Sequence, residues 1–600
     1  MRRLALACVL VAAAFSATPP PPGFQLPDDV VPLNYVVGLT IDPSRDTFEG
    51  TVSIQLDIRK PTSVIWLNAK DLEPEKAEVG SEHAHARVVG KELIAIDIAH
   101  EISGSSYSVQ LNYRGRIDEK GVLGAYRRKV DGDWYVYTTF TPIEARRAIP
   151  CFDDPRFKAP WQISIKIPQG QKAFSNAPEI GESTAPDGQQ TIQFTETKPL
   201  PSELVAFAVG PFDIYEGKPA GHGTPIRVIT PKGHAAEGRP GAEASVTVLP
   251  RLEEYTGIPY PFGKLDHLAL ADGAFGAVEN PGLITYLARE LLMLPGTDTN
   301  PRTRALRLLE AHEIGHQWFG DMVTQSSWAD VWLSEGFATW ISEKAMDEEE
   351  RPNRAHLSLM AARERIMRTD DSPRTRPVRV QPGDREGTKD IYNRFVYDKG
   401  AAVLLMLEGW LGEEDARWRA CLPERSSLRK RVTSDLATAL KLASGVDPSV
   451  VMQSFLDVSG LPRVSVQVEC APAPRLKIRQ TGAAAIPICY RGEGLARTCA
   501  VLDSATSDVD LPKGSACPTW IEANAGATGY YRTTWTVEQL AALPLAQLSP
   551  AERLMLAYDL AAQPTNRAAA RASLTKLTSD SEPEVAKAAQ DALPSNGKSR

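Results

Sequence analysis

Apolar residues recur at every second position in the first third of the chain. Tyr35, Val37, Leu39 and Ile41 form one such run and Val52, Ile54, Leu56 and Ile58 the next, with mostly polar residues between them. Period two marks a strand with one buried face, so an antiparallel β-domain is expected over 24–216. After a short strand-rich opening at Ile226 to Ile229, the apolar spacing lengthens to three and four, which predicts a mainly helical domain over 217–456. Alternation returns with Val464, Val466 and Val468 and again at Tyr530-Tyr531-Arg532, so 457–535 is read as a small β-sandwich. The remainder, 536–600, reads as helical, and its stretch Asp580 to Ala589 resembles one unit of a helical repeat. The fold class expected is therefore α+β and multidomain.

The chain opens with Arg2-Arg3, an apolar run from Leu4 to Phe15 and small residues at Ala14, Ser16 and Ala17. This pattern predicts a signal peptide over 1–17 and export to the periplasm or the exterior. The run is too short for a stable membrane span, and Cys8 sits in a poor context for lipid attachment. Thr18 and the four prolines after it form a stiff linker. A net charge of -8 with no run of basic residues argues against a nucleic-acid partner. With 600 residues and 42% hydrophobic content, the chain can bury several cores, so three or four domains are expected.

Without Cys8, six cysteines remain. Cys151 and Cys421 are expected as buried thiols. Cys470, Cys489, Cys499 and Cys517 cluster, which in an exported chain favours two disulfides, and three pairings are possible. A hairpin turning at Arg491 to Gly494 favours Cys489 with Cys499, leaving Cys470 for Cys517. Zinc binding by these four is disfavoured because they lack Cys-x-x-Cys spacing.

The candidate chemistry lies in His312-Glu313-Ile314-Gly315-His316. Residues four apart share a helix face, so both imidazoles can aim at one ion, with Glu313 beside them to hold a water. Asn300-Pro301 reads as the start of that helix, with an Asn cap and a proline at its first position. Ala305, Leu309, His312 and His316 form its inward stripe, and Gly320 is its stop. Eighteen residues separate His316 from Glu335, in Leu-Ser-Glu-Gly-Phe-Ala, the candidate third ligand on a second helix. Three protein ligands leave a fourth position for water, the mark of a catalytic zinc site. The alternative, two core histidines matching the pattern by chance, is weakened by the third acid and by two further motifs.

Those motifs are Gly276-Ala277-Val278-Glu279-Asn280 and Val396-Tyr397-Asp398-Lys399-Gly400, and a third stretch runs from Ala145 through Arg146-Arg147 to Pro150-Cys151-Phe152-Asp153-Asp154-Pro155. In this order they resemble the aminopeptidase N family of zinc peptidases, over roughly 30 to 535. The resemblance implies a thermolysin-like catalytic domain, one zinc per chain on His312, His316 and Glu335, and Glu313 as general base. It implies Tyr397 as the donor to the oxyanion, since Tyr392 stands outside the motif. It also implies substrate-binding residues at Gly276 to Asn280, with Glu279 gripping the free amino terminus of a peptide substrate. The activity implied is release of amino-terminal residues one at a time.

The chain departs from the family pattern where members carry longer polar side chains that reach the bound amine. Thr139 and Thr141 stand there, which shifts the anchorage onto Glu279. Val278 and Pro281 replace a methionine and a tryptophan, so a wider or stiffer first pocket is expected. Full-length relatives continue into a large helical cap that 536–600 cannot build, so a more open cleft is expected. Two alternatives are a catalytically weak or inactive binding protein on this scaffold and epoxide hydrolysis at the same metal. The sequence does not give the preferred residue, the physiological peptide or the oligomeric state.

Overall fold

The computed structural model describes residues 20–297, 299–350, 354–412, 430–482, 485–563 and 567–593. The expected signal peptide and Cys421 lie outside these residues. Among the described residues, no helix is long and apolar enough to cross a membrane.

The period-two runs become the middle of an eight-stranded sheet. Its strands follow the order Glu179–Thr184, Gln190–Phe194, Trp161–Ile167, Val30–Ile41, Thr47–Asn68, Leu93–Arg116, Glu73–Val79 and Glu82–Val89. Register explains the alternation. Tyr35 faces Ile54 on one neighbour and Trp161 on the other, and Val37 faces Val52 and Ile163, all of them buried. The Tyr35 and Trp161 rings stack 3.7 Å apart. One expectation needs correcting, because Val30–Ile41 pairs with Trp161–Ile167 in parallel, so the sheet is mixed. A smaller four-stranded sheet orders Gly124–Val130, Asp133–Thr139, Phe207–Gly210 and Lys172–Ser175.

The next segment holds more strand than its spacing suggested. A five-stranded sheet orders Asp213–Glu216, Ile226–Thr230, Leu265–Leu270, Leu283–Leu287 and Ala277–Val278. Leu265–Leu270 and Leu283–Leu287 are buried at every position, so they show no alternation to read. The edge strand Ala277–Val278 delivers Glu279 to the cleft. Helices Arg239–Thr256, Asn300–Gly315, Trp332–Glu350, Arg354–Asp370 and Gly400–Leu411 pack beyond this sheet.

Two further sheets, of four and three strands, are built largely from residues 463–533, and both contribute to the same core as the helices. Of Tyr530-Tyr531-Arg532, only Arg532 lies in a strand; the two tyrosines are buried core side chains. Cys489 lies opposite Cys499 in a hairpin and is bonded to it, and Cys470 is bonded to Cys517. Cys151 is a buried free thiol. The last helices are Val537–Ala542, Pro550–Ala562, Arg567–Leu577 and Pro583–Ala592.

Candidate active site

His312 and His316 occupy the last turn of helix Asn300–Gly315 and the residue that closes it. Three details of this helix differ from the sequence reading. Its cap is Thr299, with no side-chain bond, and Asn300 is already helical. Ala305 is exposed and Leu309 only half-buried, whereas Leu306, Glu310, Ala311, Glu313 and Ile314 face the core. His312 is thus half-buried while His316 is 1% exposed. The α-helix ends at Gly315 rather than near Gly320. A tight turn follows, and at Gly320 (φ +132°) an added Cβ would lie 2.4 Å from Ser334 Oγ.

Glu335 enters from the first turn of helix Trp332–Glu350. Its position depends on a glycine contact, since a Cβ on Gly336 would lie 3.1 Å from the Gly400 backbone and one on Gly400 would lie 3.2 Å from Gly336 Cα. The two backbones cross so closely that a side-chain carbon on either residue would force its neighbour to shift. This crossing fixes the segment bearing Glu335 against the one bearing Tyr397, which lies in the π-turn Phe395–Lys399.

The donors converge. His312 Nε2 and His316 Nε2 are 3.1 Å apart, and Glu335 Oε2 is 3.4 and 3.3 Å from them. Ligands at 2.0–2.1 Å from a tetrahedral zinc stand about 3.4 Å from one another, so the trio has the dimensions of a zinc cage. The second imidazole nitrogen of His316 is held by Phe319 O at 3.1 Å and Ser334 Oγ at 2.9 Å. A proton on Nδ1 leaves the Nε2 lone pair for a metal. Burial opposes the charge on Glu335, but His316 and His312 outweigh it and hold the carboxyl down at about 2. Glu279, Glu313 and His316 also bring donor atoms within 4.8 Å of one another. They share His316 with the first trio, so they surround one centre rather than make a second.

Glu313 is buried, and burial, reinforced by Glu279 and Glu335 and opposed by His316, pushes its carboxyl well above the usual range. The Tyr397 ring stacks on His312 with centroids 6.0 Å apart. Burial and then Glu335, Glu279 and Glu313 push its phenol well up, which keeps it a hydrogen-bond donor. Tyr392 instead sets its ring edge against Phe275, 5.9 Å away. Along the edge strand burial alternates, with Gly276 exposed, Ala277 and Glu279 half-buried, and Val278 and Asn280 buried. The Asn280 amide donates to Thr285 Oγ1 at 3.4 Å, which stiffens the turn after Glu279. Thr139 is buried at the end of strand Asp133–Thr139, its hydroxyl in hydrogen-bond reach of Tyr126.

The sequence match separates into two adjoining parts. The pattern of the Peptidase M1 N-terminal domain matches residues 31–204, and that of the Peptidase family M1 domain matches residues 241–455, which hold the whole cluster of donors. The chain belongs to the M1 peptidase family.

This M1 chain is 30% identical over 564 residues to Aminopeptidase M1-A of Oryza sativa subsp. japonica, covering 88% of the chain and 63% of that protein. It is 31% identical over 457 residues to the mitochondrial Aminopeptidase 2 of Saccharomyces cerevisiae (74% of the chain, 47% of that protein). With glutamyl aminopeptidase of Homo sapiens it shares 29% over 462 residues (74% and 48%). The chain thus spans about half to three-fifths of the length of these relatives.

Two positioning residues of the M1 chain had no motif to reveal them. Gln317, next to His316, donates to Glu279 O at 2.8 Å and accepts from the Tyr260 hydroxyl at 3.0 Å, tying the edge strand to the histidine turn. Asn176 donates to Leu204 O at 2.9 Å and to Pro281 O at 3.0 Å, joining a loop of the β-domain to the segment that carries Glu279.

Proposed function

We propose that the chain is a zinc aminopeptidase that releases the first residue of peptides bearing a free amino terminus. The observation that carries this reading is the convergence of two imidazole nitrogens and the Glu335 carboxylate within 3.4 Å, with Glu313, Glu279 and Tyr397 around the same point. It is supported by the relatives, which are aminopeptidases by name.

A zinc ion held by His312, His316 and Glu335 supplies Lewis acidity, making water acidic and polarising the scissile carbonyl. Glu313 takes the proton of the attacking water and later delivers it to the departing amine, a role suited to a buried carboxyl with a raised pKa. The Tyr397 phenol donates to the oxygen that gains negative charge. Glu279 accepts from the substrate's ammonium group, which fixes the register so that the first peptide bond is the one attacked. The two disulfides suit an oxidising compartment, in line with export.

The test is hydrolysis of aminoacyl amides and of their N-acetylated forms by the zinc-loaded chain. Release from the free amines and none from the acetylated forms is the expected result. Equal cutting of both would remove Glu279 from its role. Undiminished peptide binding without turnover would favour the binding-protein reading.

A further inference from the structure

The turn Ser202–Leu204 belongs to none of the motifs, yet its backbone is fixed at each residue. Ser202 Oγ donates to Asp153 Oδ1 at 2.6 Å, and Asp153 is held in turn by Arg146 Nε at 2.8 Å. Thr141 Oγ1 donates to Glu203 O at 3.3 Å, and Asn176 donates to Leu204 O at 2.9 Å. Through its second amide bond, to Pro281 O, the same Asn176 side chain holds this turn beside the segment that carries Glu279.

Within this clamp one group is left over. Glu203 is 3% exposed, and its Oε2 is buried with no hydrogen-bond partner. A buried carboxylate without a partner is costly and needs a reason. Asn176 ties Leu204, next to Glu203, to Pro281, two residues from Glu279, and burial, and after it Glu279, push the Glu203 carboxyl well above the usual range. Burial, and after it Glu203 and Glu279, push the Tyr392 phenol well up. A cationic ligand entering between Glu203 and Glu279 would satisfy both. The chain lacks the longer side chains at Thr139 and Thr141, and Thr141 is the residue that touches the Glu203 backbone.

We propose that Glu203 is a second anionic anchor for the α-ammonium group of the substrate, standing from a neighbouring turn in the place left open at Thr141. The inference rests on the aminopeptidase reading and adds to it a specific residue from the β-domain. In this role Glu203 binds substrate and takes no part in proton transfer, so it acts on KM and leaves kcat nearly unchanged.

The experiment compares the zinc-loaded full chain with Glu203→Gln and Glu203→Asp on alanine, leucine and lysine p-nitroanilides, with zinc content and thermal melting measured in parallel. The expected result is a rise in KM of about 10- to 100-fold for Glu203→Gln on all three substrates. Glu203→Asp should lie between this variant and the parent, with kcat and zinc content held in all three proteins. Adding Thr141→Glu to Glu203→Gln should recover at least about fivefold of the loss, since it returns a carboxylate to the same space. If Glu203→Gln does not fold, Glu203→Asp carries the same readout. KM values within twofold of the parent for both variants would overturn the proposal. So would a loss confined to the lysine substrate, which would place Glu203 at the side-chain pocket. A parent that releases no amino acid would overturn the aminopeptidase reading itself, and the two failures are thereby distinguishable.

Discussion

Two regions of this protein bury several charges each, and they are built on opposite principles. Around the meeting point of His312, His316 and Glu335 stand Glu279 and Glu313, with Glu203 and Asp321 close enough to Glu279 to feel its charge. Both Asp321 oxygens are buried without a partner, and the Lys158 ammonium nearby donates to carbonyls of Asp321 and Met322 and to Thr324 Oγ1. Where helix Arg354–Asp370 meets the C-terminal sheets, acids are matched with bases instead. Arg532 lies 2.6 Å from Glu364 and 3.7 Å from Asp559, and Lys399 lies 2.8 Å from Asp370, which also accepts from the Tyr530 hydroxyl at 3.1 Å. The second cluster is a joint that sets most of its charges against one another, although burial still pushes Asp559 up to about 7. The first cluster gathers more buried acids than bases. Burial opposes a charge on His316, but Glu279 and Glu335 draw its imidazole well up, and under the proposed function a metal and the substrate's ammonium would balance the rest. An imbalance of buried charge thus separates a site from a scaffold more clearly than burial does.

The contrast is broken most directly at Glu313. Changing Glu313→Gln removes the proton acceptor but leaves all three zinc donors, so kcat should fall about 10²- to 10⁴-fold. Zinc content should hold, and the melting temperature should stay level or rise, because one uncompensated acid is gone. Steady-state kinetics, metal analysis and a thermal melt on one preparation check all three. An active variant would show that Glu313 is ballast.

At the joint the sign reverses. Arg532→Met removes the ion-pair partner of Asp559 and leaves Glu364 only the more exposed Arg368, 2.7 Å away, and loss of one partner from a buried ion pair costs about 3–5 kcal/mol. Denaturant unfolding should show that loss, with KM hardly altered in the protein that remains folded. A variant as stable as the parent would mean that these ion pairs contribute nothing net. Tyr397→Phe then sharpens the other side. Its phenol is held neutral among carboxylates, so its loss should lower kcat about 10²- to 10³-fold with little change in KM. A change in KM alone would make it a substrate contact.

Much of this was legible in the chain because the relevant spacings are local. Histidines four positions apart share a helix face, and alternation over Val52 to Ile58 makes a strand with one wet side. The hairpin between Cys489 and Cys499 is likewise a short-range feature, and fixing it settles the second disulfide. The rest needed tertiary approach. Leu265–Leu270 is buried on both sides, so its sequence carries no period. Ala305 looks inward by spacing but is exposed, because the packed stripe runs through Leu306, Glu310, Ala311, Glu313 and Ile314 instead. Glu203 stands in Pro-Ser-Glu-Leu-Val with nothing periodic about it, and only the contacts of Thr141 and Asn176 show where it lies. The Gly336–Gly400 crossing could be read as two motif glycines but not as one contact.

The finest distinction concerns the odd acid of the joint. Glu522 accepts from Asn524 N at 2.9 Å through Oε1, but its Oε2 is buried without a partner, and burial pushes its carboxyl up to about 8. Because the folded pKa lies above the unfolded one, the protonated carboxyl's contribution to stability is full below about pH 4.5 and is lost as pH rises through about 8. Glu522→Gln keeps an acceptor for Asn524 and cannot ionise, so it should match the parent near pH 4.5 and exceed it in stability at pH 9. The gap should grow across that window and reach a few kcal/mol at most. Urea unfolding at several pH values measures it. A gap independent of pH would mean that Glu522 is already balanced by Arg491, whose charge pulls its carboxyl down, and the joint would then be matched throughout.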